Sequence, residues 1–449
     1  MAKRYDVIVV GAGPAGLTAA KAAGENGFDV ALLERKTDLT VMDRACGQTL
    51  DSANEYLHHD LYRCNVRDKR LCFPAHGFSV KYDGPYRNAY SWLCYSPNGT
   101  RIQAGVVEEQ KKKGDYGKVT AICDIEILFR CLLEEAKAYS VEVFPGINVE
   151  KVTTTAEGVK VEGSGQSFEG RYLIAADGVN SRIAEIMGFN KDRTYLCQFY
   201  GISYYMSGVE LPEPDGLLMV FGFMKEGPAM IFVHAPRHPE EEDYNLIVVT
   251  IHPRVDLKAA ADYFMKEAFC ASWFKNAKIL RTFPANQNCY TPIAEPYRDR
   301  VFLAGDVGST QELEITGAMI CGWKAGHAAS VALQEENLGL EVTATSQYVN
   351  WWKKDYINYY SQDVYMKTWG LPFVLTEPEE IDYLFSLIKE PMPACFNPYT
   401  MGDHLGYAMG KVMPTIQKER PEMVQKLEKM SLPFTEICAE VTKLSKPIF

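Results

Sequence analysis

The stretch "RYDVIVVGAGPAGLTAAKAAGENGFDVALLERK", residues 4–36, restricts the possible folds of this 449-residue chain more than any other. An apolar run, Val7 to Val10, leads into Gly11-x-Gly13-x-x-Gly16, a helical run of alanines follows, and a second apolar run ends at Glu34. Each element has a physical job. Gly11 makes the strand-to-helix turn, Gly13 lets a pyrophosphate approach the positive end of the helix, and Gly16 lets helix and strand pack closely. Glu34, about 20 residues beyond the glycines, is placed to accept hydrogen bonds from adenosine ribose hydroxyls. Pro14, Ala15 and Arg35 fall within the same cofactor-contacting segments. A parallel α/β sheet is the expected scaffold.

A chain this long, with 47% apolar residues, can bury a large core and holds two or three structural parts. Its formal charge of −11 argues against a nucleic-acid partner, which needs clustered Lys and Arg. The one compact basic run, Lys111 to Lys113, reads as a solvated loop. No secretory leader is read ahead of the first strand, and no apolar run approaches the roughly 20 residues that span a bilayer. The expected location is the cytoplasm. Twelve cysteines lie between Cys46 and Cys438 without a C-x-x-C pair, so no zinc, iron–sulfur or other metal site is expected. Most should be reduced and buried.

Two later segments repeat the logic of a strand that ends in an acid. "GRYLIAADGVNSRIAE" places a strand before Asp177-Gly178, then Ser181 and Arg182. "YRDRVFLAGDVGSTQELEITGAMICGWKAGHAASVAL" places another before Gly305-Asp306, followed by a glycine-containing helix. Such an acid can reach a ribityl hydroxyl while the helix offers N–H groups to phosphate or flavin oxygen. In these three motifs the chain resembles the flavoprotein superfamily of p-hydroxybenzoate hydroxylase, over about residues 4 to 335. The resemblance implies an FAD-binding Rossmann-like domain of the glutathione reductase type 2 kind, interleaved with an antiparallel substrate-binding sheet. It implies that Gly11, Gly13, Gly16 and Glu34 hold the ADP half, that Asp306 holds the ribityl chain, that Gly317 and Ala318 lie at the cofactor, and that Asp177 lends support. No second glycine fingerprint exists, so electrons are expected from a diffusing reductant or a partner protein.

The intervening sequence fits this plan. The cofactor domain is expected in three parts, at 1–69, 108–190 and 291–340, with substrate-domain strands at 70–107 and the main antiparallel sheet at 191–290. Asn98-Gly99 marks a hairpin, 125–139 has helical periodicity, and 256–275 reads as a helix. Residues 341–449 form a C-terminal helical part. Its aromatic stripe, "SQYVNWWKKDYINYYSQDVYMKTWG", reads as packing ahead of a lipid-facing or partner surface.

"RACGQTLD", residues 44–51, places a thiol where the chain returns from the ribose acid toward the crevice at which an open α/β sheet binds ligand. A Cys-Gly pair there is similar to the geranylgeranyl reductase branch of the superfamily, whose enzymes use reduced FAD to saturate carbon–carbon double bonds. The resemblance carries Arg44, Ala45, Cys46 and Gly47 over as a loop along the cofactor. Two departures stand out. Glu312, Leu313 and Glu314 replace the Asn-Pro of that branch, and "GPAMIFVHAP" stands where its aromatic Tyr-x-Trp-x-Phe-Pro segment is expected, so the pocket is expected to fit something other than a polyprenyl chain. The arginine usual near Ile125 is also missing. A carboxyl in a poorly solvated crevice has a raised pKa and can donate a proton, which makes Glu312 or Glu314 a candidate acid beside Cys46. Trp92, Tyr204 and His234 are the candidate substrate contacts, with Tyr205 beside them. The expected activity is reduction, or formation, of a carbon–carbon double bond in a small or lipid-like organic substrate. The alternatives are an aromatic monooxygenase and an electron-transfer flavoprotein serving a protein partner.

Overall fold

The computed structural model describes residues 3–51, 62–237, 243–308, 314–357 and 369–448. Five parallel strands form its first layer, in the order Val141–Pro145, Val30–Glu34, Arg4–Val10, Gln166–Ala175, Val301–Leu303. Val7, Ile8 and Val9 are wholly buried, as a central strand covered on both faces requires. The helix Pro14–Glu25 follows directly and lies against the long helix Glu314–Asn337. The two backbones touch: a Cβ on Gly322 would sit 2.0 Å from the carbonyl oxygen of Ala15, and one on Gly326 would sit 2.4 Å from that of Ala19. The glycines of the later motif therefore fasten the helix that follows the glycine turn to the long helix beside it.

The second layer is a seven-stranded sheet in the order Lys278–Tyr290, Tyr195–Ser207, Tyr244–Thr250, Gly227–His234, Leu217–Met224, Trp92–Tyr95, Arg101–Ala104. All its pairings are antiparallel except Leu217–Met224 with Trp92–Tyr95. Residue parity gives it two faces. Leu93, Ile202, Tyr204, Val220, Ile231 and Leu246 pack on the helix Leu257–Lys266, which Asp256 caps through the N–H groups of Lys258 and Ala259. Trp92, Met219, Phe221, Met230 and Phe232 point the other way, into a core shared with the C-terminal helices. Asn98-Gly99 makes the expected hairpin, with Gly99 at φ +89°.

Of the strands expected within 70–107, Arg70–Phe73 pairs with both Phe78–Lys81 and Arg63–Asn65, and the three form a small sheet of their own. Their alternation buries Leu71, Phe73, Phe78 and Val80 against the cofactor layer. Tyr86–Ala89 pairs with Thr120–Cys123, which also pairs with Thr49–Asp51. The aromatic stripe packs over its described part. Tyr348 donates to the Leu303 carbonyl at 2.7 Å, Trp352 donates to that of Ile293 at 2.6 Å, and Tyr356 stacks on Trp352 at 4.1 Å. Residues 358–368 lie outside the described residues. Among the described residues, no helix is long and apolar enough to cross a membrane, and no cluster of His, Cys, Asp and Glu is placed to hold a metal ion.

Candidate active site

The glycine turn has the shape a pyrophosphate needs. Gly11 adopts φ +101°, and a Cβ on it would lie 2.2 Å from the Ala176 carbonyl oxygen; one on Gly16 would lie 1.8 Å from that of Gly11. Gly13 differs. A Cβ there meets no atom within 4 Å, so the turn faces open space at the N-terminal end of the helix Pro14–Glu25, where free N–H groups and the helix dipole favour an anion. Pro14 occupies the first helical position, and Ala15 packs under Gly305 and Gly322.

Glu34 is buried and accepts the N–H groups of Ala12, at 2.7 Å, and Lys36, at 2.9 Å. Two acceptor positions of the carboxylate remain for hydroxyl donors. Arg35 pairs with Asp43 at 2.6 Å on the surface. Asp306, at the end of Val301–Leu303, has its carboxyl raised above the usual range by burial and pulled back by Arg44, whose guanidinium is 3.9 Å away. Asp177 turns to its own helix, accepting from Ser181 at 2.7 Å and from the Ile183 N–H at 3.2 Å. Gly317 and Ala318 are buried in the first turn of Glu314–Asn337. An extended dinucleotide with a hydroxyl-bearing linker fits these residues: open space at Gly13, the buried Glu34 and the half-buried Asp306 at two strand ends, and a loop between them.

The loop at Arg44 to Gln48 is held at nearly every residue by the seven-stranded sheet. Ala45 N–H donates to the Pro284 carbonyl, and Asn245 donates to the Cys46 carbonyl at 2.8 Å. His234 Nδ1 lies 2.9 Å from the Gly47 carbonyl oxygen. Gln48, at φ +56°, donates to the Tyr205 hydroxyl and accepts from Ile125 N–H and Arg237. Arg237 in turn pairs with Asp243 at 2.6 Å and Asp124 at 3.4 Å. The Cys46 sulfur accepts from the Gln48 N–H at 3.3 Å, and burial pushes its thiol up, so it is protonated near neutrality. Burial drives the His234 ring down to about 4, against the pull of the Gly47 carbonyl. The ring is therefore neutral, with its proton on Nδ1. Nε2 is a buried acceptor without a partner among the described residues.

Between the sheet and the C-terminal helices lies a cavity of about 100 Å³. Met219, Phe221, Met230 and Phe232 form its floor, Trp92 and Cys94 one side, and Trp369, Phe385, Met392, Phe396 and Leu405 its roof. Among the described residues, one carboxylate lines it, that of Glu314, whose Oε2 lies 3.4 Å from the Thr49 hydroxyl, three residues beyond Cys46. Of the sequence candidates, Trp92 lines this cavity and His234 holds the cysteine loop. Tyr204 does not line it, because its parity turns it to the opposite face, against Leu257–Lys266. Glu312 lies outside the described residues. Sequence reasoning missed Asn245 and Arg237, which carry no motif, and it quoted Gln48 within its segment without giving it a role. It also missed the methionine and phenylalanine floor, although the alternation in "LLMVFGFM" and "GPAMIFVH" is the signal for it.

Fold and site together define a dinucleotide-binding flavoprotein with a separate, largely antiparallel sheet. Residues 4–308 match the family described as FAD binding domain; the chain belongs to that family, and its cofactor is FAD. It is 26% identical to the digeranylgeranylglycerophospholipid reductase of Methanocaldococcus jannaschii, over 79% of this chain and 84% of that one. It is 25% identical to the reductase of the same name from Methanosarcina acetivorans, over 86% and 89%. A geranylgeranyl bacteriochlorophyll reductase-like protein from Thermoplasma acidophilum shares the fold, with TM-score 0.67, 18% identity and coverage of 95% and 99%. The flavin-dependent halogenase CmlS shares it at TM-score 0.59 and 15% identity, over 93% of this chain and 78% of that one.

Proposed function

We propose that the protein reduces carbon–carbon double bonds in a lipid-like, hydrocarbon-rich substrate, using FAD. The cavity is the observation that carries this reading. Its lining of Trp, Phe, Met, Leu and Ile selects a ligand by dehydration, length and branching, with almost no hydrogen bonds to offer. Methionines at 219, 230, 392 and 401 can adjust to a kinked or branched chain. The aromatic segment absent from the sequence is made up by side chains from both the sheet and the C-terminal helices, so a prenyl-type chain suits the space after all. The names of the relatives point the same way.

In this reading Gly13 and the first turn of Pro14–Glu25 take the pyrophosphate, Glu34 the adenosine ribose, and Asp306 with Arg44 the ribityl chain. Gly317 and Ala318 would hold the flavin end, with the loop of Arg44, Ala45, Cys46 and Gly47 beside it. When bound and reduced, FAD supplies a hydride from N5 to one alkene carbon. The protein's task is to orient that alkene and exclude water, which the sheet-held cysteine loop and the apolar cavity are built to do.

The test is anaerobic. Bound FAD is reduced, then mixed with a geranylgeranyl lipid in detergent or with air. Rapid stoichiometric reoxidation by the lipid, giving a saturated product, supports the proposal. Rapid oxygen uptake with a hydroxylated product transfers the case to a monooxygenase, and reoxidation only by a redox protein transfers it to an electron carrier.

A further inference from the structure

We infer that Asn245 and His234 are positioning residues for the flavin: they hold two successive carbonyls of the cysteine loop against the sheet and so turn the Gly47 N–H toward the ring, where it raises the potential of bound FAD. The inference rests on the reading above only for the place of that loop beside the flavin, and it needs no particular alkene.

The two side chains are neighbours. His234 and Asn245 stand opposite each other on the paired strands Gly227–His234 and Tyr244–Thr250, on the face that carries Met230 and Phe232. Side chains so placed are about 5 Å apart, close to the spacing of about 3.8 Å between consecutive residues of a chain. They can therefore grip adjacent peptides, and they do. Asn245 Nδ2 donates to the Cys46 carbonyl at 2.8 Å, and His234 Nδ1 donates to the Gly47 carbonyl at 2.9 Å. Neither group can reverse its role. Asn245 Oδ1 already accepts from the Ser203 hydroxyl, and the buried imidazole is neutral, with its one proton facing a carbonyl.

Peptide planarity then fixes the other side of the loop. In a trans peptide the N–H points opposite to the C=O, so a Cys46 carbonyl turned to the sheet directs the Gly47 N–H away from it. The Gly47 carbonyl does the same for the Gln48 N–H, which meets the Cys46 sulfur at 3.3 Å. Two successive amides thus face one way, as in the backbone concavities that bind anions; in a plain extended strand they would alternate. The departure is anchored at Gln48, which keeps a left-handed φ of +56° because its side chain bonds to the Tyr205 hydroxyl, the Ile125 N–H and Arg237. The Gly47 N–H donates to no group among the described residues. Glycine suits the position because the imidazole lies against it: a Cβ there would be 3.2 Å from His234 Cε1. Cys46 packs on the core of the cofactor layer, and Arg44 and Asp306 are close enough to act on its thiol. The loop therefore sits between the sheet and the cofactor crevice.

Reduction places negative charge on the flavin, and an N–H aimed at the ring binds the reduced form more tightly than the oxidised one. Losing one such bond changes the ratio of the two affinities by about tenfold or more, which for a two-electron couple is a fall of about 30 mV.

The test is the midpoint potential of the FAD-loaded protein, measured by dye equilibration under nitrogen. Asn245→Leu and His234→Leu each remove one clamp, while His234→Asn keeps an N–H donor near the place of Nδ1. Both leucine variants should lower the potential by about 30 mV or more at equal flavin content, and His234→Asn should stay near wild type. If Asn245→Leu does not fold, the His234 pair decides: a fall in His234→Leu alone supports the inference, and equal potentials overturn it. A second readout follows the amide itself. In protein labelled at glycine nitrogen, the Gly47 cross-peak, identified by its loss in Gly47→Ala, should move when FAD is reduced and lose most of that movement in Asn245→Leu. Unchanged potentials in both leucine variants, with a Gly47 cross-peak that responds to reduction, overturn the inference alone. A cross-peak unmoved in wild type takes the loop away from the flavin, and the placement falls with the inference. Lack of alkene reduction in the anaerobic assay sinks the proposed reaction, while a lowered potential in the variants still supports the role of the two clamps.

Discussion

At the scale of the residue, Gly13, His234 and Cys46 show how differently three small positions can work. A Cβ on Gly13 meets nothing, and its backbone, at φ −77°, accepts any side chain. Gly13→Val should therefore fold with an unchanged melting temperature yet purify without FAD, because the side chain fills the space of the pyrophosphate; a yellow Gly13→Val protein would remove the cofactor assignment. His234 couples the fold to pH. Its folded pKa of about 4 lies below the ordinary 6.5, so the unfolded chain binds the extra proton. The stability this gives is whole above pH 6.5 and is lost as pH falls toward 4, by at most about 3 kcal/mol. Denaturation of His234→Gln across that window should show a shallower acid limb than wild type. Cys46 is a protonated thiol in a loop fixed by its neighbours, and it is not among the residues that line the cavity. Cys46→Ser should keep FAD and lose less than about tenfold in alkene turnover. A loss of about 10²-fold or more, at equal flavin content, would make the sulfur a proton donor in the reaction.

Between elements, the contact that matters most is the one between Pro14–Glu25 and Glu314–Asn337. Gly322 lets the two backbones meet, and a methyl group there would lie 2.0 Å from the Ala15 carbonyl oxygen. Gly322→Ala should push the helices apart at a cost of about 1–3 kcal/mol and weaken FAD binding, since the displaced helix carries the phosphate turn. Flavin retention during dialysis, with the denaturation midpoint, checks both effects. This contact also marks the limit of what the sequence reveals. The strand–glycine–helix–strand unit is legible because its signals lie within about 30 residues and each answers a local demand of backbone geometry. The loop at Cys46 is legible as a place, but its supports are not: Asn245, His234 and Pro284 come from strands nearly 200 residues or more away, and nothing local announces their meeting. Tyr204 shows the same limit from the other side, since a shift of one residue in a strand exchanges one face for the other. Residues 70–81 read as strands correctly, while their choice of sheet depended on which core would cover Leu71 and Phe73.

The whole molecule divides its labour between two cores. One holds the glycine turn, the parallel sheet and the aromatic stripe; the other holds the cavity, between the face carrying Met219 and Phe232 and the C-terminal helices. Cofactor binding and substrate choice should therefore respond to different mutations. The cavity floor gives the sharpest case, because Met219 points into open space and a larger side chain can enter it without striking the core. Met219→Trp should leave flavin content and melting temperature near those of wild type while shortening the chain the cavity accepts. Reoxidation of reduced FAD by a C20 prenyl lipid should fall by roughly tenfold or more, and by a C10 analogue much less, because a pocket of this kind discriminates by volume. Stopped-flow reoxidation under nitrogen, run with both chain lengths on both proteins, measures that ratio directly. Equal losses for the two chains would mean that the substrate reaches FAD by another route and that this cavity serves only to pack the C-terminal helices.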